Sequence, residues 1–543
     1  MELRTTGPAI GVIDYAIIGI YFVFVIGVGY RLKRQMVSSE DFFLSGHRIP
    51  SWITGLAFLS ANLGAIEVMG MAANAAQYGI MTAHFYWLGA IPAMVFLALF
   101  MMPFYYGSKV RSVPEYLKMR FNEPTRALNA ISFAVMTVLM SGINLYAMAL
   151  VFKLLLNWSM DASIFAAAAV VLAYTIMGGL TSSIYNEVLQ FFLIIFGLLP
   201  ITIIGLVQAG GWDGLKARFT DPALGHLWMN AGAAANPMGV DWIALCSGLG
   251  FVLSFGYWCT DFLVIQRALA AESLAAAQRT PLIAAFPKIA FPALTVLPGL
   301  LALVLIPGLG SNTTDLSYNM ALPLLLPMMY PSGMLGVGLT AMLASFMSGM
   351  AGNVTAFNTV WTYDIYQSYL ARDKSDKHYL WMGRAATAGG IVISIATAYL
   401  VMGFPSIMDY MQLIFSFFNA PLFATFLLGM FWRRATPWGA FWGLVAGIAC
   451  AVGHYLMTGH EPFVYTSVMA GNFWRATYAW LACFIVTIAV SLFTKPKPES
   501  ELEGLVWGRP REVAAIAESW IKRPPVLAAI VVAMTIVLNL LFW

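Results

Sequence analysis

Apolar runs of about twenty residues recur from one end of the chain to the other, separated by short polar stretches. At 1.5 Å rise per residue, about 20 apolar residues carry a helix across the hydrocarbon core of a bilayer. The pattern predicts fourteen spans, near 12–31, 52–75, 82–106, 127–154, 162–179, 187–209, 242–264, 281–306, 334–362, 382–402, 407–432, 437–457, 476–494 and 525–542. The loop 307–333 holds MALPLLLPMMY, which is apolar but too short and proline-rich to span, and is expected to form an external or re-entrant hairpin. The stretch 495–524 is the most polar of the chain and is expected as a cytoplasmic connector before the last helix. Its EVAAIAESWIKR is either an interfacial amphipathic helix or a solvated connector.

Composition agrees with this reading. Of 543 residues 60% are hydrophobic and 10% charged, against about 25% charged in soluble domains. The spans repeat without a polar interdomain linker, so the chain reads as one all-α integral membrane domain covering 1–543. Orientation follows from Lys and Arg in the loops. With the N-terminus outside, 23 of the 29 basic residues fall on the cytoplasmic side and five outside, which places the C-terminus outside as well. The expected location is the cell membrane, multi-pass. The first span carries Asp14 early and its basic RLKR afterwards, the reverse of a cleavable signal peptide. A net charge of +4 follows from topology and points to no nucleic acid. Cys246, Cys259, Cys450 and Cys483 lie in apolar segments without metal-type spacing and read as small hydrophobes.

Two spans depart from the common apolar pattern. The second reads GLAFLSANLGAIEVMGMAANAA and the seventh ALCSGLGFVLSFGYWCTDF, each with small and polar residues through its centre. Interrupted helices in matching positions of two halves point to a transporter binding site; small residues also serve close helix packing. Two in register, about 190 residues apart, favour discontinuous helices. Ionisable groups inside apolar segments are costly and usually functional. Lys288 has no other charge across 281–306, and Glu67, Glu187, Asp261, Asp364 and Asp409 lie within or at the edge of other spans. Asp261 and Asp364 are expected to pair with Arg or cap backbone groups, and Asp409 to sit at a helix N-terminus. On the ninth span Ser345, Ser348, Gly352, Thr355 and Thr359 recur at three and four residues, so they share one helix face. That stripe is either a tight interface or a set of neutral oxygens for an alkali cation, shared with carbonyls of a broken second span.

SANLG and MGMAANA (60–75), GGLTSSIYNEVLQ (178–190), YWCTDFLVIQRALAAES (257–273), FPKIAFPALTVLPG (286–299), TYDIY (362–366), DYMQ (409–412) and FLLGMFWRR (426–434) together resemble the solute:sodium symporter family, nearest its sodium/glucose and sodium/galactose branch. The resemblance covers roughly 10–495 and implies a core of two inverted five-helix repeats, about 52–209 and 242–432, with two discontinuous helices. It implies Na⁺ as coupling ion, no other cofactor, and sodium held by the carbonyls of Ser60, Leu63 and Ser345 with the Ser348 hydroxyl. Where the family usually has a second adjacent serine this chain has Gly349, and where the sugar branch has Asp at the start of the sixth span it has Glu187.

The same resemblance assigns Asn62, Ser254, Tyr257, Trp258, Lys288 and Gln412 to the solute pocket, with Tyr257 as stacking residue and inner gate. Two positions depart. Tyr86 stands where sugar members carry a glutamate, and Glu67 where they carry a neutral polar residue, as if a carboxylate had moved between neighbouring helices. Glu67 and Lys288 either pair with each other or meet a charged solute. The implied activity is sodium-coupled import of a small polar solute, a monosaccharide such as glucose or galactose first. Rivals are another solute (amino acid, polyol, vitamin or organic acid) on the same machine, or a passive channel. No HExxH or GxSxG and no clustering of the six histidines supports an enzyme. Oligomeric state is not legible.

Overall fold

The computed structural model describes residues 10–33, 48–311, 314, 316–404, 406–508 and 519–543. Among them there is no β-strand, only an isolated bridge between Ile49 and Ala271. The principal helices in chain order are α1 (Val12–Lys33), α2 (Ser51–Asn62), α3 (Ile66–Ala83), α4 (Phe85–Gly107), α5 (Glu123–Leu156) and α6 (Met160–Ala209). They continue as α7 (Trp242–Thr260), α8 (Phe262–Leu269), α9 (Leu274–Leu305), α10 (Met334–Leu370), α11 (Asp376–Val401), α12 (Ile407–Phe431), α13 (Pro437–Met457), α14 (Val468–Phe493) and α15 (Pro524–Leu541).

Eleven helices among the described residues are long and apolar enough to cross a membrane, and the bent pair α2–α3 makes a twelfth. Shorter apolar helices, Val12–Val28 and Met160–Ala173, stand where the first and fifth spans are expected. The gap left at 180–186 between the fifth and sixth expected spans is helical: α6 runs unbroken, and Ser183 Oγ donates to Glu187 one turn on, 2.7 Å away. The segment Tyr318–Met329 within the expected hairpin is also a short apolar helix. Residues 509–518, with most of EVAAIAESWIKR, lie outside the described residues; just before them Leu502, Leu505 and Val506 are buried.

Two helix breaks position the site. The axis turns by 64° between α2 and α3. At the turn Leu63 N bonds back to Leu59 O and Ser60 O, while Glu67 N and Val68 N both bond Gly64 O. The Ala65 amide, left without a helical acceptor, donates to Asn144 Oδ1 of α5 at 2.8 Å. Gly64 is required by close approach, since a Cβ there would meet Asn144 Oδ1 at 2.5 Å and Gly349 Cα at 3.1 Å. The seventh span breaks elsewhere than its small-residue centre. Residues 245–253 stay helical in a wider winding, and the chain turns extended at Asp261 (φ −75°, ψ 120°), whose carboxylate caps Leu263 N at 2.9 Å. The central glycines serve packing: a Cβ on Gly248 would lie 2.6 Å from Phe473 O, and one on Gly256 2.8 Å from Asn419 O.

Burial separates an inner bundle from an outer layer. The most apolar window of α10 is 89% buried although it carries serine, glycine and threonine, whereas that of the more hydropathic α15 is 17% buried. Helices that face lipid need apolar surface outward, while helices packed inside approach closely through small residues. Asp14 of α1 ties the periphery to this core, accepting from the Gly333 and Gly336 amides at 2.7 Å each, at the N-terminus of α10.

Candidate functional site

A cavity of about 100 Å³ opens beside the α2–α3 break, enclosed by α4, α5, α7, α9, α10 and α12. Asn62, Glu67, Tyr86, Ser254, Tyr257, Trp258, Lys288 and Gln412 all line it, so residues spread over 350 positions meet in one space. The helix break accounts for part of this. Asn62 ends α2 and Glu67 begins α3, and the bend turns both toward α9.

Lys288 organises the cavity. Only 2% exposed, its ammonium lies 2.5 Å from Glu67 Oε1 and 2.6 Å from Asn62 Oδ1. Ring faces surround the same nitrogen, with the centroids of Tyr86, Trp258 and Phe291 at 4.9, 5.2 and 5.4 Å. The ion pair cancels the charges of Lys288 and Glu67 against each other within the cavity. Such a pair offsets the desolvation of both charges only because hydrogen bonds and cation–π contacts surround it. Asn62 passes the network on, its Nδ2 donating to Tyr257 OH at 3.1 Å. Tyr86 OH lies 2.7 Å from Thr295 Oγ1 and also neighbours the Glu67 carboxylate, while its ring face meets the lysine where a carboxylate would present oxygens. Gln412 is 2% exposed and its Oε1 has no hydrogen-bond partner, an acceptor left open at the cavity wall.

Sequence reasoning passed over two contributors. Phe415 stacks on Tyr257 at 5.2 Å with 21° between the planes, and it shares a face of α12 with Gln412, three residues before it. Asn144, the acceptor for the Ala65 amide, is a solitary amide within the apolar part of α5. Both carried a legible signal, a helical spacing and a polar side chain in an apolar run.

Next to the cavity, α10 meets the break. Ser345 Oγ donates to Leu63 O at 2.5 Å and Ser348 Oγ to Ser60 O at 2.8 Å, with Ser60 Oγ 3.1 Å from Ser348 Oγ. All three serines are fully buried. Na⁺ is a hard ion that takes oxygen donors, including carbonyls released by an unwound helix. This donor set is neutral oxygen throughout, and among the described residues no cluster of His, Cys, Asp or Glu offers a rival metal site. The residues therefore fit the ion.

The hydroxyl stripe of α10 divides in two. Its upper pair, Ser345 and Ser348, faces the break, while Thr355 and Thr359 face α8, where Arg267 Nη2 lies 3.4 Å from Thr355 Oγ1 and Gln266 Nε2 donates to Thr359 Oγ1 at 3.0 Å. The same buried Arg267 holds Glu187 at 2.5 and 3.2 Å. Asp364 pairs with Arg126 at 3.4 Å, and Asp409 sits in the first turn of α12, where Ser406 Oγ accepts from its amide at 3.3 Å. These carboxylates have structural partners or places apart from the cavity, except Asp261, which also reaches its wall.

Residues 42–447 match the family described as the Sodium:solute symporter family. The sodium/glucose cotransporter of Vibrio parahaemolyticus is 30% identical over 473 residues, covering 83% of this chain and 87% of that protein. Sodium/glucose cotransporter 2 of Rattus norvegicus is 27% identical, covering 91% and 80%. A solved Na⁺-coupled sialic acid symporter, substrate-bound and outward-open, superposes with a TM-score of 0.77 at 21% identity, over 90% of this chain and 99% of that one. The second structural match, a nucleobase-cation-symport-1 family transporter, shares the same architecture at a TM-score of 0.52. A broken helix, a polar cavity beside it and an oxygen cluster behind it thus lie within the matched segment: the chain belongs to the sodium:solute symporter family.

Proposed function

We propose that this chain imports a neutral polyhydroxylated solute, a monosaccharide first, coupled to the inward movement of Na⁺ by alternating access. The observation that carries the reading is the cavity itself. A near-neutral set of donors and acceptors (Asn62, Glu67, Lys288, Gln412) faces the aromatic surfaces of Tyr257 and Trp258. Sugar recognition needs paired hydrogen-bonding groups around hydroxyls and an apolar face beneath the ring. The names of the sodium/glucose relatives support the same solute class.

On this reading Gln412 Oε1 accepts a solute hydroxyl, and the free lone pairs of Glu67 accept others. Lys288 stays bound to Glu67 and Asn62 and orients both. Tyr257, braced by Phe415 and Asn62, closes one side of the pocket and must move for solute to leave. The residues of the break bind the ion with Ser60 and Leu63 carbonyls, which fixes the angle between α2 and α3 and so the positions of Asn62 and Glu67. Each inward Na⁺ supplies about 2.3 kcal/mol per 100 mV and about 1.4 kcal/mol per tenfold concentration ratio. One ion per solute thus sustains roughly 500-fold accumulation at those two gradients.

A second reading, a solute bearing an acid or amine, is favoured by one feature: either partner of the Glu67–Lys288 pair would serve a charged group if the pair opened. Proteoliposomes separate the readings. With an imposed Na⁺ gradient, labelled glucose or galactose should accumulate and stop doing so when choline replaces Na⁺. Competition by a charged solute but by no sugar would select the second reading, and sugar equilibration indifferent to Na⁺ would mean a channel.

A further inference from the structure

The serine hydroxyls at the break do more than pack. In a regular helix Ser60 O and Leu63 O would accept from the amides of residues 64 and 67. The turn removes those bonds: Glu67 N goes to Gly64 O, and Ser60 O takes the amide of Leu63 instead. Two hydroxyls of α10 step into the gap, Ser345 Oγ on Leu63 O and Ser348 Oγ on Ser60 O. A third, Ser60 Oγ, stands 3.1 Å from Ser348 Oγ. Each of these hydroxyls is fully buried and keeps lone pairs on the side away from its proton.

Gly349 adds no side-chain oxygen and has no room for one, and its carbonyl already accepts from Asn353 Nδ2 at 2.9 Å. A Cβ at that position would lie 2.6 Å from Gly64 Cα and 2.7 Å from Asn144 Oδ1, both fixed, one by backbone and the other by its bond to the Ala65 amide. A side chain at 349 would push α10 off the break. The oxygens that a cation finds here must therefore come from other positions.

We infer that the side-chain hydroxyls of Ser60 and Ser345 are sodium ligands in this chain, joining Ser348 Oγ and the break carbonyls, and that the hydroxyl protons of Ser345 and Ser348 hold those carbonyls when no ion is bound. On ion entry the hydroxyls rotate, withdraw their protons from Leu63 O and Ser60 O and turn oxygen lone pairs to the cation. No bond is made or broken beyond hydrogen bonds. The inference rests on the sodium coupling proposed above and deepens it, assigning donors that replace the position closed at Gly349.

The test is sodium binding by the purified full-length protein, read without transport, as the Na⁺-dependent rise in thermal unfolding temperature with choline holding ionic strength constant. Ser60→Ala and Ser345→Ala should each raise the half-saturating Na⁺ concentration about tenfold or more; Ser345→Ala also strips Leu63 O of its hydroxyl donor and lowers the unfolding temperature in choline, so each variant is read against its own choline baseline. Gly349→Ser should weaken Na⁺ binding as well, because the side chain strikes Gly64 and Asn144. Where Ser60→Ala does not give folded protein, Ser345→Ala bears the same decision. Wild-type affinity in both alanine variants, or tighter binding in Gly349→Ser, overturns the inference while leaving sodium coupling intact. Absence of any Na⁺ response in the wild-type protein overturns both.

Discussion

Glu67→Gln isolates the ion pair at the centre of the cavity. The substitution keeps shape and one hydrogen-bonding oxygen but removes the charge, leaving Lys288 as an ammonium 2% exposed. Breaking a buried pair from one side typically costs about 3–5 kcal/mol. Here the glutamine oxygen still accepts from a charged donor, a bond of about 1.5–3 kcal/mol, and Asn62 and three ring faces remain. The net loss expected is about 2 kcal/mol. Lys288→Met leaves the opposite charge, the Glu67 carboxylate at 7% exposure, with no cation beside it, and should cost the full range of about 3–5 kcal/mol. The double variant has no uncompensated charge and should fall within about 1–2 kcal/mol of the wild type. The coupling energy of this cycle, the two single losses less that of the double variant, is then about 3–6 kcal/mol, against about 0.2–1 kcal/mol for exposed pairs. Equilibrium unfolding in detergent, followed by tryptophan fluorescence, measures it. A double variant as unstable as the sum of the two singles would refute the pairing and with it the claim that the two charges cancel within the cavity.

Four further outcomes follow from the same geometry. Adding Tyr86→Glu to Glu67→Gln should recover at least half of the lost stability, because the ring it replaces lies 4.9 Å from the ammonium; unfolding of the paired variant decides it. Tyr257→Phe removes one hydrogen bond to Asn62 and should raise the half-saturating solute concentration about fivefold, near 1 kcal/mol; Tyr257→Ala also removes the stack on Phe415 and should raise it far more in the same uptake assay. Asn144→Leu orphans the Ala65 amide at the break and should cost about 1–3 kcal/mol in unfolding free energy. Ser348→Ala should raise the Na⁺ concentration for half-maximal uptake about tenfold, about 1.4 kcal/mol, and an unchanged value would remove its hydroxyl from the ion's surroundings.

Legibility in the sequence followed the strength of the physical signal. The break at Ser60–Gly64 was readable because small and polar residues interrupt an apolar run in a span that also carries Glu67, and the chain does turn there by 64°. Lys288 was readable from its solitude across 281–306. The seventh span misled in detail, because glycine serves backbone approach and helix interruption alike. Gly248 and Gly256 turn out to face Phe473 and Asn419, and the extended residue is Asp261, a cap that the sequence marks only as one more intramembrane acid. The gap at 180–186 misled for the converse reason. The apolar pattern lapses there between the fifth and sixth expected spans, yet Ser183 bonds Glu187 along the helix and Arg267 arrives from α8 to neutralise that carboxylate. Partners eighty residues away in the chain have no local signature. The cation donors show the same limit. A stripe of hydroxyls at helical spacing gives one face, and only packing divides it between Leu63 O and Arg267.

On the proposed function, the chain order of the break ties ion and solute to each other. Ser60 and Leu63 offer carbonyls to α10, while Asn62, between them, and Glu67, one turn later, face the cavity. On that reading, interleaved residues of one short segment serve two sites. Any ion that fixes the carbonyls also fixes Asn62 and Glu67, and through them Lys288 and Tyr257. The reverse holds by linkage: a solute that orders Asn62 and Glu67 sharpens the carbonyl geometry and raises ion affinity by the same factor. Coupling on the proposed mechanism therefore needs no long path through the bundle. It needs a segment too short to satisfy one site while leaving the other loose, and the eight residues 60–67, held at Ala65 by Asn144 and at Ser60 and Leu63 by the serines of α10, are such a segment.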